Sequence, residues 1–260
     1  MKNLTDNKSL LGYELLSSYP NIFHFVTTRQ GGCSVGNYSS FNCSPFSGDN
    51  MESVCSNIQI LLSAFPKQPK ELVIPKQVHG TEVGVITPEY QSLDGLDALV
   101  TNEPGYCLCV STADCVPILL YDPVHNAVAA IHAGWRGTVA RIAQRTLEVM
   151  KENYATEAKD VIACIGPSIS MEAFEVGTEV YDAFRNANFN MDKIAFWHTV
   201  MENWHIDLWE ANRYLLMEAG VCYSNIEIAE ICTYKCDEQF FSARRLGIQS
   251  GRILSGIMLC

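Results

Sequence analysis

No stretch of this 260-residue chain reads as a membrane span. The most apolar segment, Tyr106 to Tyr121, contains Asp114 and Pro117 and falls short of the ~20 residues a spanning helix needs. The N-terminus lacks the uninterrupted apolar run and small-residue cleavage site of a signal peptide, so a cytoplasmic location is expected. Basic residues are scarce: 18 Lys and Arg stand against 29 Asp and Glu, a net charge of −11. That field repels phosphate backbones and excludes a nucleic-acid binder working through a broad basic surface. Charged residues make up only 18% and hydrophobic ones 48%, which excludes a disordered chain. The 11 cysteines are odd in number and follow no framework spacing, so a disulfide scaffold is not indicated and reduced thiols are expected. With no repeat, low-complexity tract or long linker, residues 1–260 read as one domain.

What is present is a succession of short apolar runs: His24–Thr28, Leu72–Val78, Glu82–Thr87, Ala98–Thr101, Cys107–Ser111, Val116–Tyr121, Ala127–His132, Val161–Ile165 and Ile226–Cys232. Rich in Val and Ile and bounded by Gly, Pro or Asp, they predict buried strands. Asp94-Gly95 and Asp122-Pro123 mark turns between them. Apolar residues at helical spacing predict helices over Val54–Phe65, Thr138–Tyr154 and Asp207–Ala219, the last with Asp207 as N-cap and Gly220 as its stop. Strands come in clusters rather than alternating strictly with helices, which predicts an α+β domain with mixed sheets.

Four segments set polar, reactive side chains in apolar surroundings: Lys76-Gln-Val-His-Gly80, Ser111-Thr-Ala-Asp-Cys115, His132-Ala-Gly-Trp-Arg-Gly137 and Phe240-Phe-Ser-Ala-Arg-Arg245. His79, Cys115 and His132 are one thiol and two imidazoles at expected strand ends, 36 and 17 residues apart. Three N/S ligands with a fourth position open are how a catalytic zinc is held. By spacing alone, three satisfied core residues are the stronger reading. In His132–Gly137 a strand exit, two glycines and Arg136 before a helix could instead form an anion site, or only a tight turn needing glycine at positive φ. Ile165-Gly-Pro-Ser168 is another strand exit with free donors, and neither segment has the glycine spacing of a nucleotide loop.

Taken in order, Phe25-Val-Thr-Thr-Arg-Gln-Gly-Gly32, Gln77-Val-His-Gly80, Thr112-Ala-Asp-Cys115, His132–Gly137, Ile165-Gly-Pro-Ser-Ile169 and Cys232-Thr-Tyr through Phe240–Arg245 resemble the YfiH family. Its members are also called laccase-domain proteins or peptidoglycan editing factors, and are described as purine nucleoside phosphorylases. The resemblance implies a layered fold similar to the cytotoxic-necrotizing-factor-type cysteine hydrolases. It implies zinc on His79, Cys115 and His132, with copper as a possible substitute. It also implies phosphorolysis of adenosine, inosine, guanosine and methylthioadenosine, with deamination of adenosine. Three departures from the family pattern stand out: Phe46 replaces an expected His, Asn57-Ile58 an expected Asn-Arg, and Ala243 an expected Tyr.

On this reading Asp114, beside Cys115, is the candidate proton shuttle, with a turn-forming role as its alternative. Arg29, Arg136 and Arg244 are candidate phosphate ligands, because guanidinium suits bidentate phosphate contacts, and Ser242 lies in the same substrate-binding set. The expected partners are a nucleoside and phosphate, with no nucleic acid and no membrane, on a monomer or small homo-oligomer. Two other enzymes compete. A cysteine hydrolase or amidase editing peptidoglycan precursors would use Cys115 as nucleophile with His132 or His79 as base. A copper polyphenol oxidase needs more histidines than the six present, two of them already assigned. A structural zinc would need a fourth protein ligand, for which Cys107, Cys109, Cys232 and Cys236 are the available thiols.

Overall fold

The computed structural model describes residues 1–260 and contains mixed sheets and helices, as the clustered strands predict. One six-stranded sheet runs in the order Lys2–Asn3, Leu10–Gly12, Ile22–Thr27, Ile253–Leu259, Tyr106–Thr112, Glu71–Val73. A second runs Ile226–Ile228, Ile162–Ile165, Val116–Asp122, Ala127–Ala133, Ala98–Thr101, Val83–Val85. Each has an antiparallel centre; the first has a parallel strand pair at one edge and the second at both. A small third sheet joins Glu175–Val176, Asn203–Ile206 and Ala195–His198.

Alternation along the strands explains the layering, because successive side chains face opposite sides of a sheet. In Tyr106–Thr112, Leu108 and Val110 join Leu119, Tyr121, Val128 and Ala130 of the second sheet in one core between the sheets. The intervening Cys107 and Cys109 face the other way, with Phe25, Leu254 and Met258, under Leu61 of the helix Met51–Ser63. Val116, Ile118, Leu120, Ala129 and Ile131 of the second sheet pack against Ile142, Ala143 and Leu147 of Ile142–Tyr154 and Leu215 and Leu216 of Leu208–Glu218. The order is therefore helix, sheet, sheet, helices. Both faces of the central strands are covered, which is why they read as continuous apolar runs. No helix is long and apolar enough to cross a membrane.

Some boundaries differ from expectation. The helix predicted over Thr138–Tyr154 is two helices, Trp135–Val139 and Ile142–Tyr154, separated by Arg141 at φ +66°. The strand predicted over Leu72–Val78 stops at Val73; only an isolated bridge from Lys76 to Asp94 follows. Asp207 caps Leu208–Glu218 as expected, accepting from the Glu210 N–H, and Gly220 follows the helix at φ +104°.

Candidate active site

The chain leaves the first sheet at Thr112 and enters the second at Val116, so Ala113, Asp114 and Cys115 form a corner between sheets. Asp114 adopts φ +83°, a left-handed conformation that Asp tolerates better than most side chains. His132, on Ala127–Ala133, alternates with Val128 and Ala130 and so faces the inter-sheet side near the end of its strand. His79 lies in the loop between Glu71–Val73 and Val83–Val85 rather than on a strand end. The turn there is made by His79 itself, at φ +63°, and not by Gly80. These elements place one ligand atom each from His79, Cys115 and His132 within 4.8 Å of one another.

Asp97 organises this group. Its carboxylate accepts the N–H groups of His79 and Gly80 at 2.9 and 2.7 Å and that of Val78 at 3.2 Å. It also bonds His132 Nδ1 at 2.7 Å. One fully buried residue thus fixes the backbone of the first ligand and the ring of the third. Burial alone would raise its carboxyl, but the His132 ring and the Gly80 and Val78 N–H groups outweigh burial and hold it below the ordinary carboxylate range. Burial likewise pushes the Cys115 thiol up, and the neighbouring His132 and His79 imidazoles overcome this and bring it down. Burial opposes the charged form of His132, while the Cys115 thiolate and Asp97 raise its pKa.

The donor set fits a soft or borderline divalent ion. With Nδ1 given to Asp97, His132 presents Nε2, and the carboxylate fixes ring and tautomer as metal-binding histidines require. Tetrahedral zinc sets its ligand atoms about 3.3–3.6 Å apart, so the three atoms would draw together by up to about an ångström to close on one ion. Gly134 lets the backbone pass: a Cβ there would sit 3.1 Å from both Cys115 Sγ and His79 Cδ2. Close approach, not positive φ, is the reason for this glycine, since its φ is −66°. The remaining candidate thiols lie elsewhere. Cys232 Sγ accepts the Ser170 N–H, and Cys107 and Cys109, 3.8 Å apart, lie on the outer face of the first sheet.

The triad opens into a cavity of about 460 Å³, within the range of small-molecule sites. Phe46, Trp135, Ile169, Phe174, Leu208 and Ile248 contribute apolar lining, and Arg244 and Arg252 contribute cations. Two of the three departures from the YfiH pattern, Phe46 and Ala243, line this space. The third, Ile58, does not: it packs half-buried against the core of Phe25 and Leu61, while its neighbour Asn57 ties down the preceding loop through the Cys33 N–H, Ser34 Oγ and the Ser40 and Asn42 carbonyls.

Other expected site residues are placed differently. Arg29 lies outside the cavity, donating to the Ser39 and Asp237 carbonyls beneath the Phe241 ring. Arg136 is exposed over the Trp135 ring and does not line the cavity, while its helix spans only Trp135–Val139. The donors of Ile165–Ser168 are also spent internally, Gly166 N–H on the Pro117 carbonyl and Ser168 N–H on that of Ile231. Asp114 lines the cavity, but its oxygens accept from Thr233 Oγ1, Ser242 Oγ and the Arg244 N–H, at 2.6, 3.0 and 2.7 Å. Ser242 is buried, and in donating to Asp114 and capping Ala243–Leu246 it contacts the site only through Asp114. Asp97 and Arg252 went unmarked in the sequence. A carboxylate between Leu96 and Ala98, and an arginine directly before the apolar run Ile253–Leu259, were the available signals.

The family model described as multi-copper polyphenol oxidoreductase laccase matches residues 23–260. The chain belongs to this family. It is 56% identical, over all of its length and 99% of the relative's, to a purine nucleoside phosphorylase of Bacteroides thetaiotaomicron. It is 40% identical to adenosine deaminase RL5 from an unknown prokaryotic organism, over 94% of this chain and 96% of that one. The crystal structure of the Bacillus licheniformis protein YfiH superposes with a TM-score of 0.91 at 29% identity, covering 98% of both chains. The family's fold is thus shared nearly end to end, and the protein is a homologue of purine nucleoside phosphorylases and of an adenosine deaminase. The copper-cluster chemistry in the family's description needs histidines beyond the triad. Here His24, His125, His198 and His205 are each engaged elsewhere, with the Tyr13 N–H, Asp122, the Met201 N–H and the Met171 carbonyl.

Proposed function

We propose that the protein is a zinc-dependent purine nucleoside phosphorylase that also deaminates adenosine, with inosine, guanosine and methylthioadenosine as further substrates. The observation that carries this reading is the His79–Cys115–His132 cluster opening into a nucleoside-sized, partly aromatic cavity. In phosphorolysis, phosphate attacks ribose C1′ and the purine leaves through N9; in deamination, water attacks C6 and ammonia leaves. When bound, zinc supplies Lewis acidity to the reacting oxygen. Asp97 keeps the His132 ring in the tautomer that leaves Nε2 free, and locks the His79 backbone. Trp135 and Phe174 offer faces for the purine and exclude water, as does Phe46 at the half-open rim. Arg244, lying over the Phe174 ring and donating to the Glu175 carbonyl, brings positive charge to the same space for phosphate. Asp114 acts here as a positioning residue, because its hydrogen bonds hold the Cys115 corner against Thr233, Ser242 and Arg244.

The deciding experiment combines metal analysis with turnover. Adenosine should give inosine without phosphate, inosine should be cleaved only with phosphate, and chelation should stop both until zinc is restored. A Cys115→Ala variant retaining full zinc occupancy would sink the ligand assignment.

A second reading is favoured by one relationship. Asp97, His132 and Cys115 also form an acid–imidazole–thiol series, the arrangement of a cysteine hydrolase. Inosine formation that persists after complete metal removal and is abolished by thiol alkylation selects this reading.

A further inference from the structure

We propose that Arg252 is the phosphate anchor of this cavity, an inference that rests on the phosphorolysis reading above. Arg244 and Arg252 are the two arginines lining the cavity, and neither takes part in an ion pair with a carboxylate. In a chain of net charge −11, guanidinium left unneutralised beside a ligand-sized space is the group that an anion would complete. The two differ in how firmly they are held. Arg244 is exposed, and its side chain makes one hydrogen bond, to the Glu175 carbonyl.

Arg252 is partly buried and fixed from several sides. Nη1 donates to the Ser250 carbonyl and hydroxyl and to the Gly251 carbonyl, at 2.6, 3.2 and 3.1 Å, and Nη2 donates to the Ile248 carbonyl at 2.8 Å. Its own N–H is held by Asn42 Oδ1 at 3.0 Å, which ties it to the loop carrying the cavity residues Ser44 and Phe46. Those acceptors occupy Nη1 and part of Nη2, while Nε–H makes no hydrogen bond within the protein. Nε and Nη2 form the side of the guanidinium fork that grips two oxygens of an anion at once. The acceptors that restrain it are carbonyls and a hydroxyl, which orient the fork without cancelling its charge. Burial weighs against that charge, and a dianion in the cavity would offset the penalty. A rigid guanidinium loses little entropy on binding, so Arg252 sets phosphate affinity and the less restrained Arg244 assists.

The test is steady-state phosphorolysis of inosine by the zinc-loaded enzyme, varying phosphate and inosine separately. In Arg252→Gln the KM for phosphate should rise at least tenfold while the KM for inosine moves less than threefold. Arg252→Lys keeps the charge but not the fork, and should fall between. The same substitution at Arg244 should raise the phosphate KM by a smaller factor. Phenylglyoxal labelling of the unaltered enzyme covers the case in which Arg252 variants misfold: inorganic phosphate should protect Arg252 from modification, as read by peptide mapping. A phosphate KM within twofold of wild type in a folded Arg252→Gln variant, or labelling of Arg252 that phosphate does not slow, overturns the assignment. Absence of phosphorolysis in the unaltered enzyme would instead overturn the functional reading on which it rests.

Discussion

Asp97 and His132 meet across 2.7 Å in a fully buried contact that sets which imidazole nitrogen faces the neighbouring thiol. The same carboxylate gathers three consecutive backbone N–H groups around His79, so one side chain governs two of three proposed ligands. Asp97→Asn sets an amide NH2 against donors whichever way it turns, either His132 Nδ1–H and the His79 N–H or the Val78 and Gly80 N–H groups. Zinc affinity, measured by chelator competition, should fall ~10–100-fold in this variant. An unchanged affinity would show that ring orientation is set elsewhere.

Gly134→Ala tests the close passage of the backbone. The added methyl would stand 3.1 Å from Cys115 Sγ and His79 Cδ2, in a region where Ala meets no conformational objection. Ligands must be held to within about 0.5 Å, so metal affinity and turnover should each fall about tenfold or more. The thermal midpoint of the metal-free protein should move little, which separates this effect from general destabilisation.

Asp114 distinguishes positioning from proton transfer. Asp114→Ala removes the acceptor of two buried hydroxyls and an N–H, and puts Ala at φ +83°. The expected cost in urea unfolding is ~3 kcal/mol or more. Asp114→Asn tolerates the same φ and keeps one acceptor oxygen, so it should cost about half as much and keep measurable turnover. A fully stable Asp114→Asn variant with no turnover would reinstate the proton shuttle.

Stability should fall on mild acidification because of His24. Burial lowers its pKa to about 4, and its Nε2 accepts the Tyr13 N–H at 2.9 Å, which requires the neutral ring. The ordinary value in the unfolded chain is about 6.5, so the unfolded state takes up the proton first. The stabilisation is complete above about pH 6.5 and is lost progressively as pH falls toward 4, by at most about 3 kcal/mol. Urea midpoints at pH 7.5, 6 and 4.5 should trace this decline. In His24→Gln, which keeps an acceptor without titrating near neutrality, the corresponding part of the slope should vanish.

The triad itself was readable as residue types, and the resemblance to the YfiH family singled it out from the other thiols and imidazoles. Strand positions were legible for a physical reason: Val116–Asp122 and Ala127–Ala133 are buried on both faces, so almost every residue is apolar. Asp97 was not legible because its role depends on a loop 17–19 residues earlier folding over it. Arg252 was hidden because what marks it is the lack of a carboxylate ion-pair partner beside a cavity, and a linear sequence does not list partners. Arg136 and Arg29 looked equally suitable as charges; one stacks outward on Trp135 and the other is spent on carbonyls. The break at Arg141 followed no Pro or Gly signal, because a non-glycine residue at positive φ carries no mark in composition.

The corner at Ala113–Cys115 means that one proposed ligand belongs to neither sheet but to the chain passing between them, while His132 projects from the second sheet's inner face. A metal held there fastens the two sheets at one end, as a clasp closes the open edge of a book. Its binding energy is available only while the sheets are closed, so loading should raise the stability of the closed state by mass action. The stripped protein should then splay at this end first. Amide hydrogens of 77–80 and 112–116 should exchange faster than those of Leu119–Tyr121, which the clasp does not reach, and zinc should slow the former selectively.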